Sequence, residues 1–114
     1  MSTYLTNAFS LGMLTESDIV IHVQEITPEQ LKQELTAGTF VSAVGHESTA
    51  DILSKILGIH IPINRQAIRL KENDTVYVYQ LLQRLPEGVI LTREEITQIN
   101  FKIYKVKILK GSSL

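Results

Sequence analysis

Residues 40–58 read FVSAVGHESTADILSKILG. Phe40 to Val44 make a short apolar run of strand type, Gly45 permits a turn that a side chain would obstruct, and Ile52, Leu53, Ile56 and Leu57 then recur at helical spacing before Gly58 supplies a stop. Ser48 with Asp51 three residues on fits a capping box and predicts a helix start at Ser48, with Asp51 and Lys55 pairing at i,i+4. A strand that passes through a glycine into a helix is a unit of α/β architecture. It displays His46 at the junction, near the free amides and positive dipole end of the helix, where phosphates tend to settle. Taken alone, these residues suit an ordinary loop histidine better than a working one.

Working outward, the chain has 114 residues, which predicts one domain able to bury roughly two-thirds of its unfolded surface. Hydrophobic residues make up 44% and charged residues 20%, the balance of a globular chain with an aliphatic core. Lys+Arg number 11 against Asp+Glu 12, so the broad basic face that duplex DNA requires is not advertised, and a phosphate ligand must be met locally. The absence of cysteine excludes disulfides, thiolate metal sites and cysteine nucleophiles. Neither a secretion signal at Met1 to Leu11 nor a membrane-length apolar run is present, which predicts a cytoplasmic protein that does not contact membranes.

Before the central unit, Thr3 to Thr6 predicts a strand, Asn7 to Leu14 an ordered loop, and Asp18 to Glu25 a half-buried strand that carries His22 on its polar face. Thr27, Pro28 and Gln30 signal a helix from Pro28 to Ala37, anchored by Leu31 and Leu35. After it, His60 lies in a strand end or loop. Arg65 to Leu70 and Thr75 to Gln83 read as a hairpin joined by the polar turn 71–74. The second of these strands is apolar on both sides, as a central strand should be. Gln80 interrupts it, either hydrogen-bonded within the protein or facing a ligand cavity, since an unmatched buried amide costs roughly 1–3 kcal/mol. Thr92 with Glu95 predicts a capped helix through Ile99, and Phe101 to Leu109 a last strand whose Lys105 and Lys107 discourage edge pairing. The order predicts a single α/β domain, a mixed β-sheet of about five or six strands flanked by about three helices.

No Walker-type glycine loop, GxSxG elbow, HExxH motif or dinucleotide-binding glycine pattern occurs, and His22, His46 and His60 lack metal-ligand spacing, so neither a metal nor a cofactor is expected. What remains is a set of polar residues at strand ends and turns. Three blocks stand out: Leu5-Thr6-Asn7-Ala8-Phe9-Ser10, Gly45-His46-Glu47-Ser48-Thr49, and Gln83-Arg84-Leu85-Pro86-Glu87-Gly88, with Asn64 and Arg65 between the last two. Jointly, over nearly the whole chain, they resemble the viral ring nucleases, anti-CRISPR proteins of archaeal viruses and phages with bacterial relatives.

The resemblance implies a dimeric α/β enzyme that binds cyclic tetra-adenylate, the messenger of type III CRISPR defence, and cuts it into linear di-adenylates without a metal. It carries the catalytic histidine onto His46 and a supporting glutamate onto Glu87. It places Asn7, Ser10, Gly45, Arg65, Gln80 and Arg84 at ligand-contacting positions. Glu47 stands where the family commonly has aspartate, and Pro86 where an acidic residue often precedes the glutamate; neither departure removes a proposed catalytic group. A homodimer would also suit the ligand, because a ring of four repeats has the two-fold symmetry of an isologous pair, and the loop Phe9 to Leu14 is a candidate for closing over it. If the source is viral, the site of action is the host cytoplasm. Two other classes compete: a non-catalytic sponge or sensor that uses the same pocket, and a protein-interaction module with no nucleotide ligand.

Overall fold

The computed structural model describes residues 1–82 and 92–112. In chain order the elements are β1 (Thr3–Thr6), a 3-10 turn (Leu11–Met13), β2 (Asp18–Ile26), α1 (Pro28–Thr36), β3 (Val41–Ala43), α2 (Glu47–Leu57), β4 (Thr75–Leu81), α3 (Arg93–Thr97) and β5 (Phe101–Ser112). The strands form one five-stranded sheet in the order β2-β5-β4-β1-β3. β1 pairs in parallel with β3 on one side and β4 on the other, whereas β5 runs antiparallel to both β4 and β2. Among the described residues the sheet is therefore mixed and accompanied by three α-helices, as the sequence predicts.

All three α-helices bury residues on one face of the sheet. There Leu5, Tyr77, Tyr79 and Ile103 meet Leu31 and Leu35 of α1, Ile52, Leu53 and Leu57 of α2, and Ile96 of α3. The opposite face buries Ala43, Val76, Val78, Val106 and Ile108 under Ile68 and Leu70, with Phe9, Met13 and Leu14 packed around them. Alternation along β4 sends Tyr77 and Tyr79 to the helical side and Val76 and Val78 to the other, which is why that strand reads as apolar throughout.

Local signals account for most element ends. Thr27 Oγ1 accepts from Gln30 N at 3.1 Å with Pro28 in the first turn, but the reciprocal half is absent because Gln30 Nε2 donates to Glu34 Oε2 at 2.9 Å. Thr92 and Glu95 make both halves of a capping box. Asp51 and Lys55 pair at 3.0 Å, and α2 stops at Gly58, whose φ of 69° is the left-handed conformation that favours glycine. Asp74 is buried and ties the 71–74 turn together, accepting from Ser2 N and Lys71 N at 2.9 Å each.

Three expectations are corrected. Residues 65–70 are not a strand: only Leu70 bridges, to Leu14. Ile68 and Leu70 are two apart and both buried, which imitates strand alternation, but β4 already has β1 and β5 on its two sides and no edge left for a hairpin partner. β5 is not an edge strand, since it lies between β4 and β2; Lys105 is half-buried beside α1, not an edge guard. The edges are β3 and β2, and the β2–β5 register shifts between Val20 and Ile21, where Leu109 of β5 is the extra, unpaired residue of a bulge. The Ser48–Asp51 capping box does not form, because the N-cap of α2 falls two residues earlier, on His46.

α1 is fixed to the sheet by a polar cluster. Glu34 Oε1 accepts from Tyr77 Oη at 2.7 Å and pairs with Lys105 Nζ, while Gln30 holds the other carboxylate oxygen. Burial alone would raise the Glu34 carboxyl pKa, but hydrogen bonds from Lys105, Tyr77 and Gln30 outweigh it and hold it below its usual value near 4.5. Burial first, then the Glu34 hydrogen bond and charge, push the Tyr77 phenol above its ordinary range. With its folded pKa depressed, Glu34 contributes stability that is present above its unfolded value and lost as pH falls through the folded one. Glu34→Gln is therefore predicted to destabilise by ~1–2 kcal/mol at pH 7. Urea unfolding of both proteins at neutral pH and below pH 4 should show that gap narrowing in acid.

Candidate functional site

The parallel arrangement of β3, β1 and β4 brings three carboxyl-terminal strand ends to one rim of the sheet, the place where open α/β folds commonly bind ligands. Asn7 follows β1, Gly45 and His46 follow β3, and Gln80 lies near the end of β4. Thr6 shapes the first of these ends. Its buried hydroxyl accepts from Ala8 N at 3.2 Å and lies 3.0 Å from Ala8 O and 3.4 Å from Ala43 O, the oxygens to which it donates. The chain turns at Thr6 while remaining tied to β3. Asn7 then reaches across, its Oδ1 accepting from Gly45 N at 3.3 Å.

His46 is exposed, with extended backbone angles of −124° and 131°, and its carbonyl accepts the first intrahelical bond from Ala50 N at 3.0 Å. Its side chain makes no capping hydrogen bond. The imidazole thus sits at the positive end of an 11-residue helix whose first-turn amides have no intrahelical acceptors.

Arg65 arrives from the other side of Gly45. A Cβ added to Gly45 would lie 3.2 Å from Arg65 Cγ and 3.5 Å from its Cβ, so the arginine stem occupies the space that the missing side chain leaves. The glycine's role is close approach, not unusual backbone angles. Asn7, Gly45, His46 and Arg65 therefore form one contiguous group.

The remaining expected residues stand differently. Gln80 is exposed and donates to Leu81 O at 3.2 Å, so it is neither a buried amide nor enclosed in a cavity; it shares the rim on the face of Val76 and Val78. Ser10 is exposed at the start of the 3-10 turn, where its carbonyl accepts from Met13 N at 3.1 Å, and no hydrogen bond joins it to the group. Arg84 and Glu87 lie outside the described residues. Among the described residues, no cluster of three or more His, Asp or Glu side chains is arranged to hold a metal, and no helix is long and apolar enough to cross a membrane.

Two contributors carry weak sequence signals. Ser42, buried in β3, donates from Oγ to Pro62 O at 2.6 Å, and Asn64 bonds β3 and the residue that follows it, through Nδ2 to Ser42 O at 2.7 Å and through N to Val44 O at 2.8 Å. A lone serine in an apolar strand and an asparagine two residues after a proline are the traces they leave.

The family model described as STIV B116-like matches residues 3–103. The chain belongs to the STIV B116-like family. Within and around that family, it is 39% identical over 107 residues to Uncharacterized protein 26 of Sulfolobus islandicus filamentous virus (isolate Iceland/Hveragerdi), covering 93% of this chain and 91% of the relative. It is 32% identical over 99 residues to Uncharacterized protein YddF of Bacillus subtilis (strain 168), covering 85% of this chain and 92% of that one. Among solved structures, B116 of Sulfolobus turreted icosahedral virus superposes with a TM-score of 0.84 at 30% identity, over 94% of this chain and 99% of B116. The family accordingly includes proteins of archaeal viruses, and the match spans β1, the β3–α2 junction and the Arg65 segment together.

The Asn7–Gly45 bond predicts a clear contrast. Asn7→Ala, which removes the acceptor, should destabilise by ~1 kcal/mol, whereas Asn7→Asp, which keeps an acceptor, should lose less than half of that, read by thermal or urea unfolding at neutral pH.

Proposed function

We propose that this chain is a metal-independent ring nuclease that binds cyclic tetra-adenylate and cuts it into linear di-adenylates, switching off type III CRISPR signalling. The observation that carries this reading is the exposed His46 imidazole at the positive end of α2, with Arg65 packed on the adjoining Gly45. Membership in a family with archaeal viral members supports the setting.

The reaction asks little covalent chemistry of the protein. The 2′-hydroxyl of one adenylate attacks the adjacent phosphorus and loses its proton to solvent; the new P–O2′ bond forms as the P–O5′ bond breaks. Each departing 5′-oxygen takes a proton from His46 in its imidazolium form, and a positioned general acid of this kind typically contributes about 10²–10⁴ in rate. Two cuts on opposite sides of the ring give two di-adenylates that end in 2′,3′-cyclic phosphates. Arg65 supplies positive charge to the phosphate, joined by Arg84, and the first-turn amides of α2 offer donors to its oxygens. Glu87 orients the imidazole. Asn7, with Oδ1 engaged by Gly45, presents its Nδ2 as a donor, and Gln80 and Ser10 contact the ligand from the rim and the following loop. A homodimer matches the two-fold symmetry of the ring, each subunit addressing one of two opposite phosphates.

Incubating the purified protein with labelled cyclic tetra-adenylate in EDTA, beside His46→Ala, tests this directly. Wild type should convert the ring to di-adenylates, and His46→Ala should slow that by about 10²-fold or more while still binding. Tight binding by both proteins without cleavage would make the protein a sponge, and neither binding nor cleavage would leave a protein-interaction role.

A further inference from the structure

Arg65 stands in a stretch without secondary structure, from residue 59 to residue 69, yet its stem lies within van der Waals reach of Gly45. Something must hold an irregular segment in register with β3. The first anchor is Ile61, buried in the helical-face core, whose N–H donates to Ser54 Oγ of α2 at 2.9 Å. From there the chain runs along the outer edge of β3, the side that β1 does not cover.

An edge strand presents outward-facing carbonyls two residues apart, here those of Ser42 and Val44. A neighbouring strand would satisfy them with main-chain N–H groups of residues two apart. Asn64 N meets Val44 O at 2.8 Å, so the group required for Ser42 O is the N–H of residue 62. That residue is Pro62, which has no N–H. The Asn64 side chain takes its place, with Nδ2 donating to Ser42 O at 2.7 Å, and Gln66 Nε2 adds a weaker bond to the same oxygen at 3.4 Å. Ser42 Oγ reciprocates with its 2.6 Å bond to Pro62 O.

We infer that Asn64 is the positioning residue of the site: by completing the ladder that Pro62 interrupts, its side-chain amide sets the register of the next residue and keeps the Arg65 stem seated on Gly45, one residue from His46. Asn64 acts through Arg65 and need not touch the substrate. In its consequence for ring binding the inference rests on the proposed function, whereas the ordering of Arg65 does not depend on it.

The test has two arms. In the ligand-free protein, the ¹⁵N heteronuclear NOE of the Arg65 Nε–Hε group is compared between wild type, Asn64→Ala and Asn64→Asp, the last keeping size and main-chain N–H but not the donor. A lower NOE in both variants is expected. In EDTA, the KM and kcat for cyclic tetra-adenylate are then measured for Asn64→Ala, Arg65→Ala and the double variant. Asn64→Ala should raise KM about tenfold with kcat within about threefold, and should add little once Arg65 is already alanine. An unchanged NOE, or an equal KM effect in both backgrounds, overturns the inference. Should wild type neither bind nor cut the ring, the proposed function falls and the NOE alone decides the role of Asn64; should Asn64→Ala fail to fold, Asn64→Asp carries both arms.

Discussion

The parallel pairing of β1 on both of its sides is the constraint on which the site depends. β1 is only four residues long, yet Thr3 to Thr6 register against β4 while Tyr4 to Thr6 register against β3, and Leu5 is fully buried between them. Because all three strands run the same way, their carboxyl ends arrive at one rim. An antiparallel neighbour would have sent the Gly45–His46 junction to the opposite end of the sheet from Asn7. Thr6 adds the local half of the constraint by spending its hydroxyl on Ala8 and Ala43 backbone groups, which turns the chain sharply enough for Asn7 to reach Gly45.

Stability and the rim are carried by different parts of the molecule. Leu70 and Ile108 are fully buried on the face opposite the helices, but most of the largest buried side chains, among them Leu31, Ile52, Leu53, Tyr79 and Ile103, lie on the helical face. On the helical face Tyr79 stacks on Phe101 at 5.1 Å between ring centroids, and burial raises its phenol pKa above the ordinary range. His46 and Arg65 are exposed, so their side chains contribute little apolar burial. A rim of this kind can change its polar residues at little cost to the core, which suits a family in which B116 shares the fold at 30% identity.

Much of this was legible in the residues because it rests on local chemistry. The strand–glycine–helix reading of 40–58, the proline-led α1, the Thr92–Glu95 box and the apolar β4 each follow from signals within a few positions. What failed were statements about neighbours in space. Ile68 and Leu70 alternate like a strand because they plug a core, and nothing in their own sequence says that β4 is already paired on both sides. Lys105 looked like an edge guard because a lysine's partner 71 positions away, Glu34, cannot be read from spacing. At the site, Asn7, Gly45, His46 and Arg65 were identifiable by residue type and resemblance, but the bond between Asn7 and Gly45 was not.

Under the proposed function, a nearly neutral chain has to meet a polyanionic ligand with local groups. With a formal charge of −1, long-range attraction contributes little, and recognition must come from fixed groups at short range. Arg65 packed on a glycine and a helix end without a side-chain cap are such groups. The fold itself places the arginine stem and the helix amides, which under the proposed function reduces the ordering entropy lost on binding. Fixing Arg65 requires an edge that an ordinary strand would have occupied, and a strand there would have supplied its own N–H groups. Pro62 prevents that ladder and Asn64 restores it with a side chain, so the edge of β3 is closed to another chain while its outer segment remains free to carry an arginine to the rim.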